Sequence, residues 1–231
     1  MVAIGGSVIE SSWASGENAR KDGFNLRHRA LNSLRAAVVT GELASGGIYS
    51  VPALANSFGV SLTPVREAML DLVHDGLAEP VPNRGFRIIE VSSADLDEIF
   101  ELRLLLEVSS MVKLAGQRVA VDVAQFQDIV NVIEAAAAQG DLVAFLGADR
   151  DFHLSLLGLL QNQRLVKIVD MLRLQSRLPG LGDLASSALR SSAAEHQHIL
   201  DAIVAHDRLS VRRLMVSHLR HTRGVWAGLK E

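Results

Sequence analysis

Apolar residues recur three and four positions apart along most of this chain, and glycines and prolines mark where each run stops. From Leu26 an amphipathic helix is expected, with Leu31, Leu34 and Val38 on its inner face and Gly41 where it ends. "SVPALANSF" follows, in which Ser50 suits an N-cap and Pro52 the first turn, where a missing N–H costs little. Gly59 closes this short second helix. "VSL" makes a turn, and Thr63 with Pro64 is expected to start a third helix as N-cap and first helical residue. Val65, Met69, Leu72 and Val73 form its apolar stripe, with Arg66 on the opposite side. After Gly76, "LAEPV" and "FRIIEV" alternate as strands around "PNRG", which predicts a hairpin with Asn83, Arg84 and Gly85 at its tip.

Three helices with a tight turn before the third, then a hairpin, predict a winged helix-turn-helix over residues 24–91. Residues 1–23 are rich in Gly, Ser and Ala without period, and read as a mobile tail. Beyond a boundary near Val91 to Ala94 the pattern is helical only. Ser92 or Ser93 caps the first helix, whose apolar positions include Ile99, Leu102, Leu106 and Val108. Breaks at Gly140-Asp141 and Gly180 to Gly182 divide residues 95–229 into about six helices, without internal repeat. The expected fold class is therefore mainly α: a winged helix-turn-helix followed by an all-α antiparallel helical bundle.

Composition narrows this picture only at a few points. The chain has 231 residues, 48% hydrophobic but 4% aromatic, enough for two modest domains each with a core. It has no cysteine, which excludes disulfides and thiolate metal sites. Nothing resembles a secretion signal or an apolar run of the roughly 18 residues that span a membrane, so a cytoplasmic address is expected. Net charge is -3, so any affinity for nucleic acid must come from local placement.

In the winged module the candidate DNA contacts are Arg66 in the third helix, Ser61 and Thr63 at its start, and Arg84 with Gly85 in the wing. Arginine suits guanine or phosphate, and a helix N-terminus with hydroxyls suits phosphate. Taken alone, Arg66 is better read as a solvated residue paired with Glu67 or Asp71. The module carries six arginines against six acidic residues and no lysine, so useful affinity calls for two modules on one duplex.

The helical region holds a second candidate site. Asp149 and His153 share a helix face at i and i+4, and His196 and His218 each sit among apolar helical residues. One carboxylate and three imidazoles suit Zn²⁺, with Ni²⁺ or Mn²⁺ as alternatives. Any one of these histidines alone is more often a hydrogen-bonded core residue. His198 and His221 belong to other helix faces. Arg103, in "ELRLLLE", could fork onto a ligand carboxylate or pair with Glu101 or Glu107.

The segment "YSVPALANSFGVSLTPVREAMLDLVHDGLAEPVPNRGFRI" resembles the DNA-binding domain of the GntR family of bacterial regulators. "ELRLLLE", "DRDFHLSLL", "EHQHILDAI" and "MVSHL" resemble the FCD effector-binding domain of its FadR branch. The resemblance implies a homodimeric repressor that binds a palindromic double-stranded DNA operator. It further implies a divalent metal on Asp149, His153, His196 and His218, and a small organic or sugar-acid carboxylate as effector, met by Arg103. Asn162 matches a recurrent asparagine better suited to capping a helix than to touching ligand. One position departs from the pattern, since Leu62 stands where an arginine is usual. The alternatives are a metal-dependent enzyme on the same four residues and a regulator whose metal is structural. An enzyme would need an acid or base at the metal, and Glu195, next to His196, should point elsewhere.

Overall fold

The computed structural model describes residues 23–117, 119–177 and 186–226. Of the expected tail over residues 1–23 all but Gly23, which opens a helix, lies outside them, as do the break at Gly180 to Gly182 and the last five residues. The chain divides into two compact units, one ending at Val91 and the other beginning at Ser92.

The first unit is a winged helix-turn-helix. Helix α1 (Gly23–Val39) buries Ala30, Leu34, Ala37 and Val38, while Leu31 is only half-buried. Strand β1 (Ile48–Tyr49) precedes α2 (Val51–Phe58), which Ser50 caps through the Ala53 amide and which ends at Gly59 with φ 64°. Helix α3 (Leu62–His74) begins two residues earlier than expected. Its N-cap is Ser61, and Thr63 and Pro64 lie inside the first turn. Pro64 is tolerated there because the first four amides of a helix have no intrahelical acceptor in any case. The buried face of α3 is Pro64, Val65, Ala68, Met69 and Leu72, with Val73 half-buried. Arg27 Nε donates to Asp71 Oδ2 at 2.8 Å and Arg35 Nη2 to Asp75 Oδ2 at 2.6 Å, which ties α1 to α3.

The hairpin forms as β2 (Ala78–Val81) and β3 (Gly85–Ile88), with Asn83 at φ 59° in its turn. The sheet has a third strand that the periodicity did not announce, with antiparallel order β1-β3-β2 and Tyr49 opposite Phe86. Two residues are too short a run to carry a period. That extra strand gives Gly85, at φ 119°, a structural reason to be glycine, since a Cβ would run into the Tyr49 carbonyl oxygen.

The second unit is helical throughout. Ser92 caps α4 (Ser93–Arg103) in a reciprocal capping box with Asp95. The helix runs without a break through a π turn at Leu104–Val108 into α5 (Ser109–Gly116). Here the inward face differs from the apolar pattern: Leu102 is exposed, and Arg103 and Glu107 are buried with Ile99 and Val108. Then come α6 (Val123–Gln139), α7 (Leu142–Gly158), α8 (Gln163–Gln175), α9 (Ser186–Val204) and α10 (Arg208–Trp226). Counting α4 to α5 as one, that makes six helices among the described residues. Gly140, at φ 70°, and the Asp141 cap turn α7 back onto α6, and Asn162 caps α8 through the Leu165 amide. α6 packs on α7 and α9, and α10 packs on α9 and α5. No helix among the described residues is long and apolar enough to cross a membrane.

Candidate metal centre and nucleic-acid interface

Asp149 and His153 lie one turn apart on α7, and α9 and α10 bring in His196 and His218. All four side chains are fully buried, and one ligand atom from each can be chosen so that all lie within 4.8 Å of one another. Phe152 meets the rings of His153 and His196 edge-on, at centroid distances of 5.3 and 5.1 Å, and forms an apolar wall.

The hydrogen bonds around the cluster set which nitrogens face inward. His196 Nδ1–H donates to the Ser192 carbonyl at 2.9 Å, which turns Nε2 inward to a hydrogen-bond contact with Asp149 Oδ1 at 3.1 Å. His218 Nδ1–H donates to Glu195 Oε2 at 2.7 Å, and its Nε2 is buried without a partner. Neither nitrogen of His153 has a hydrogen-bond partner among the described residues; Nε2 faces Asp149 Oδ1 at 3.7 Å. Burial, reinforced by the positive charge of Arg173, holds the His153 imidazolium well below its ordinary range, and burial also depresses His218. His153 and His218, held neutral by burial and with unpartnered nitrogens beside the Asp149 carboxylate, are a proton-poor set that a cation would satisfy. Ligands on one Zn²⁺ at about 2.0–2.2 Å lie roughly 3–4 Å apart, so the four residues, whose ligand atoms lie within 4.8 Å, fit a divalent ion with a small inward shift.

A charged network surrounds the cluster. Asp149 Oδ2 accepts from Arg173 Nη2 at 2.7 Å, and Arg173 Nη1 donates to Glu107 Oε2 at 2.6 Å. Arg103 Nε donates to Glu107 Oε1 at 2.6 Å, and its Nη1 to Ser176 Oγ at 3.3 Å. Arg103 is thus already paired with Glu107, one of the two partners its sequence context offered. Burial opposes the charge on Glu107, but the two arginines outweigh it and keep its carboxyl below the usual range.

Sequence reasoning missed Arg173 and the roles of Glu107 and Glu195. Glu195 does point away from the cluster's inner atoms, as expected, yet it accepts from both His218 Nδ1 and His221 Nδ1. Only a count of buried polar groups could have raised Arg173, because "MLRLQ" has no distinguishing spacing. His198 is exposed and His221 half-exposed, on other faces, as expected.

In the winged unit, Ser61, Leu62, Thr63 and Arg66 are exposed together at the start of α3. Asp71 is taken by Arg27, and Arg66 has no hydrogen-bond or ionic partner among the described residues. Arg84 is exposed at the wing tip, whereas Arg87 is spent on Glu79 at 2.6 Å.

A model of bacterial regulatory proteins of the gntR family matches residues 26–88, and an FCD domain model matches residues 98–221. A Streptomyces ambofaciens protein, described as an uncharacterized HTH-type transcriptional regulator in an unstable DNA locus, is 31% identical over 87% of this chain and 85% of its own. The probable D-xylose utilization operon transcriptional repressor of Paenarthrobacter nicotinovorans is 27% identical over 79% of this chain and 80% of its own. The solved structure of McbR/YncC from E. coli aligns over 88% of this chain and 97% of that one, with a TM-score of 0.76 and 26% identity.

Proposed function

As a member of the gntR family of bacterial regulatory proteins with an FCD domain, this chain is a DNA-binding transcription regulator rather than an enzyme, and we propose that it is a metal-assisted repressor answering to a small carboxylate. The observation that carries the reading is the convergence of one carboxylate and three imidazoles in a fully buried cluster, two of the rings having nitrogens without a hydrogen-bond partner among the described residues. Asp149, His153, His196 and His218 would hold a divalent ion, most naturally Zn²⁺, with Ni²⁺ or Mn²⁺ as alternatives. When bound, the ion supplies positive charge and open positions for an anionic oxygen.

The effector is a small organic or sugar acid. Arg103 adds a second positive group for its carboxylate, which must then compete with Glu107. Operator recognition uses Arg66, with Ser61 and Thr63 on phosphate at the start of α3 and Arg84 and Gly85 in the wing. Because the module from 24 to 91 has as many acidic residues as arginines, a homodimer on a short palindrome of double-stranded DNA is the working form, in the cytoplasm. Effector binding alters the spacing of the two winged modules.

Complete burial of all four ligands also favours a second reading, a purely structural metal. One experiment separates them. Operator affinity is measured by fluorescence anisotropy at fixed zinc and salt, with and without a panel of hydroxy acids and sugar acids, for wild type and His196→Ala. Coupling of about 1–3 kcal/mol predicts a shift of roughly 5- to 150-fold in wild type. His196→Ala should keep basal operator binding and lose most of that shift. A mutant without metal that still responds fully sinks the effector role of the cluster, and a wild type that no acid shifts leaves the structural reading.

A further inference from the structure

Three of the four residues of the cluster are held from outside by a hydrogen bond: Asp149 by Arg173, His196 by the Ser192 carbonyl and His218 by Glu195. His153 is the exception, with both ring nitrogens buried and without a hydrogen-bond partner among the described residues. Its Nε2 faces the cluster, so any proton sits best on Nδ1, and Nδ1 lies 3.8 Å from Glu107 Oε2. That distance is just beyond a hydrogen bond. A histidine bound to a metal through one nitrogen almost always donates its other N–H to a carboxylate, carbonyl or water.

We infer that Glu107 is the outer partner of His153, a positioning residue that takes the Nδ1–H when a divalent ion is bound. The inference rests on the metal reading above. Geometry limits the alternatives, because Glu107 is fully buried and its Oε2 is the oxygen it already shares with Arg173. Arg103 and Glu107, four residues apart, share the inner face of one helix that passes through the π turn at Leu104–Val108, and both are buried while Leu102 is exposed. Glu107 then links three elements at one carboxylate: Arg103 on its own helix, Arg173 on α8 and His153 on α7. Glu107 accordingly senses whether the ion is present. In the metal-free state Oε2 serves Arg173 alone; in the loaded state it serves Arg173 and His153.

Metal affinity and spectroscopy test this. Wild type, Glu107→Gln and Glu107→Ala are titrated with zinc against a chromophoric chelator and with cobalt by visible absorption. Glu107→Gln preserves side-chain size, so it guards against a fold lost in Glu107→Ala. Zinc affinity should fall about 10- to 100-fold, with the larger loss in Glu107→Ala, and the cobalt bands should change. In zinc-loaded wild type the assigned His153 Nδ1–H should appear in nitrogen-edited NMR as a slowly exchanging proton, and it should vanish in the metal-free protein. A carboxylate that only neutralises Arg103 and Arg173 would lower the melting temperature when removed but leave the cobalt spectrum unchanged. Variants that bind zinc as wild type does, with unchanged cobalt bands, overturn the inference while the metal reading stands. A wild type that binds neither ion overturns both.

Discussion

Replacing Arg173 by methionine tests whether the buried charge network stabilises the helical unit. The arginine is 1% exposed and bridges Glu107 at 2.6 Å and Asp149 at 2.7 Å. Methionine is unbranched and of similar length, so the volume is largely kept and the packing cost is small. The charge is not kept. Glu107 still has Arg103, but Asp149 loses its Arg173 donor in a site with no access to water. Removing one partner of a buried ion pair costs about 3–5 kcal/mol, because the remaining charge stays desolvated. Against a total stability of about 5–15 kcal/mol that is a large fraction. At about 2–4 °C per kcal/mol for a chain of this size, the melting temperature should drop by about 6–20 °C. Denaturant unfolding followed by far-UV circular dichroism, at pH 7.5 with chelator, measures it without metal linkage. Asp149→Asn should then cost less in the Arg173→Met background than in wild type, with a coupling of about 0.5–3 kcal/mol. A loss under about 1 kcal/mol, or additive effects of the two changes, would falsify the claim that this bridge holds the cluster.

Other expectations concern DNA and pH. Arg66→Ala should weaken operator binding by about 1–3 kcal/mol without changing the melting curve, and equal affinity at matched salt removes Arg66 from the interface. Leu62→Arg should tighten binding to palindromes typical of the family by up to about 1–3 kcal/mol; no gain means that other residues already compensate for the leucine. His153 and His218 both titrate below their ordinary value of 6.5 in the folded protein, so the unfolded chain binds more protons. Stability of the metal-free protein is therefore full above about pH 6.5 and is lost as pH falls below it, by up to about 1.4 kcal/mol per pH unit for each histidine. Denaturation midpoints that stay flat from pH 7.5 to 5.5 would contradict the neutral, buried state of these rings.

What the amino-acid order determined by itself is local and periodic. Ser50, Gly59, Gly76 and the "PNRG" turn mark the winged unit because caps and left-handed turns depend on one or two residues. The i, i+4 pair Asp149 and His153, with His196 and His218 in their apolar surroundings, could be named because helical spacing puts each on an inner face. Smaller shifts escaped even there. Ser61 rather than Thr63 stands at the N-cap position of α3, since a proline is equally acceptable anywhere in the first turn. Strand β1 exists only because β3 lies beside it.

Tertiary structure alone decided what surrounds the four ligands. Arg173 is 66 residues from Glu107 in sequence and 24 from Asp149, and no spacing rule connects such partners. Leu102 is exposed where an apolar inner position was expected, and Arg103 is buried as a pocket residue because carboxylates of the bundle offset the desolvation of the buried arginines. Arg103 finds its counter-charge four residues on, as spacing allowed, whereas buried Arg173 is tolerable only because Glu107 and Asp149 arrive from other helices. That arrival is a property of the packed helices, not of any stretch of sequence.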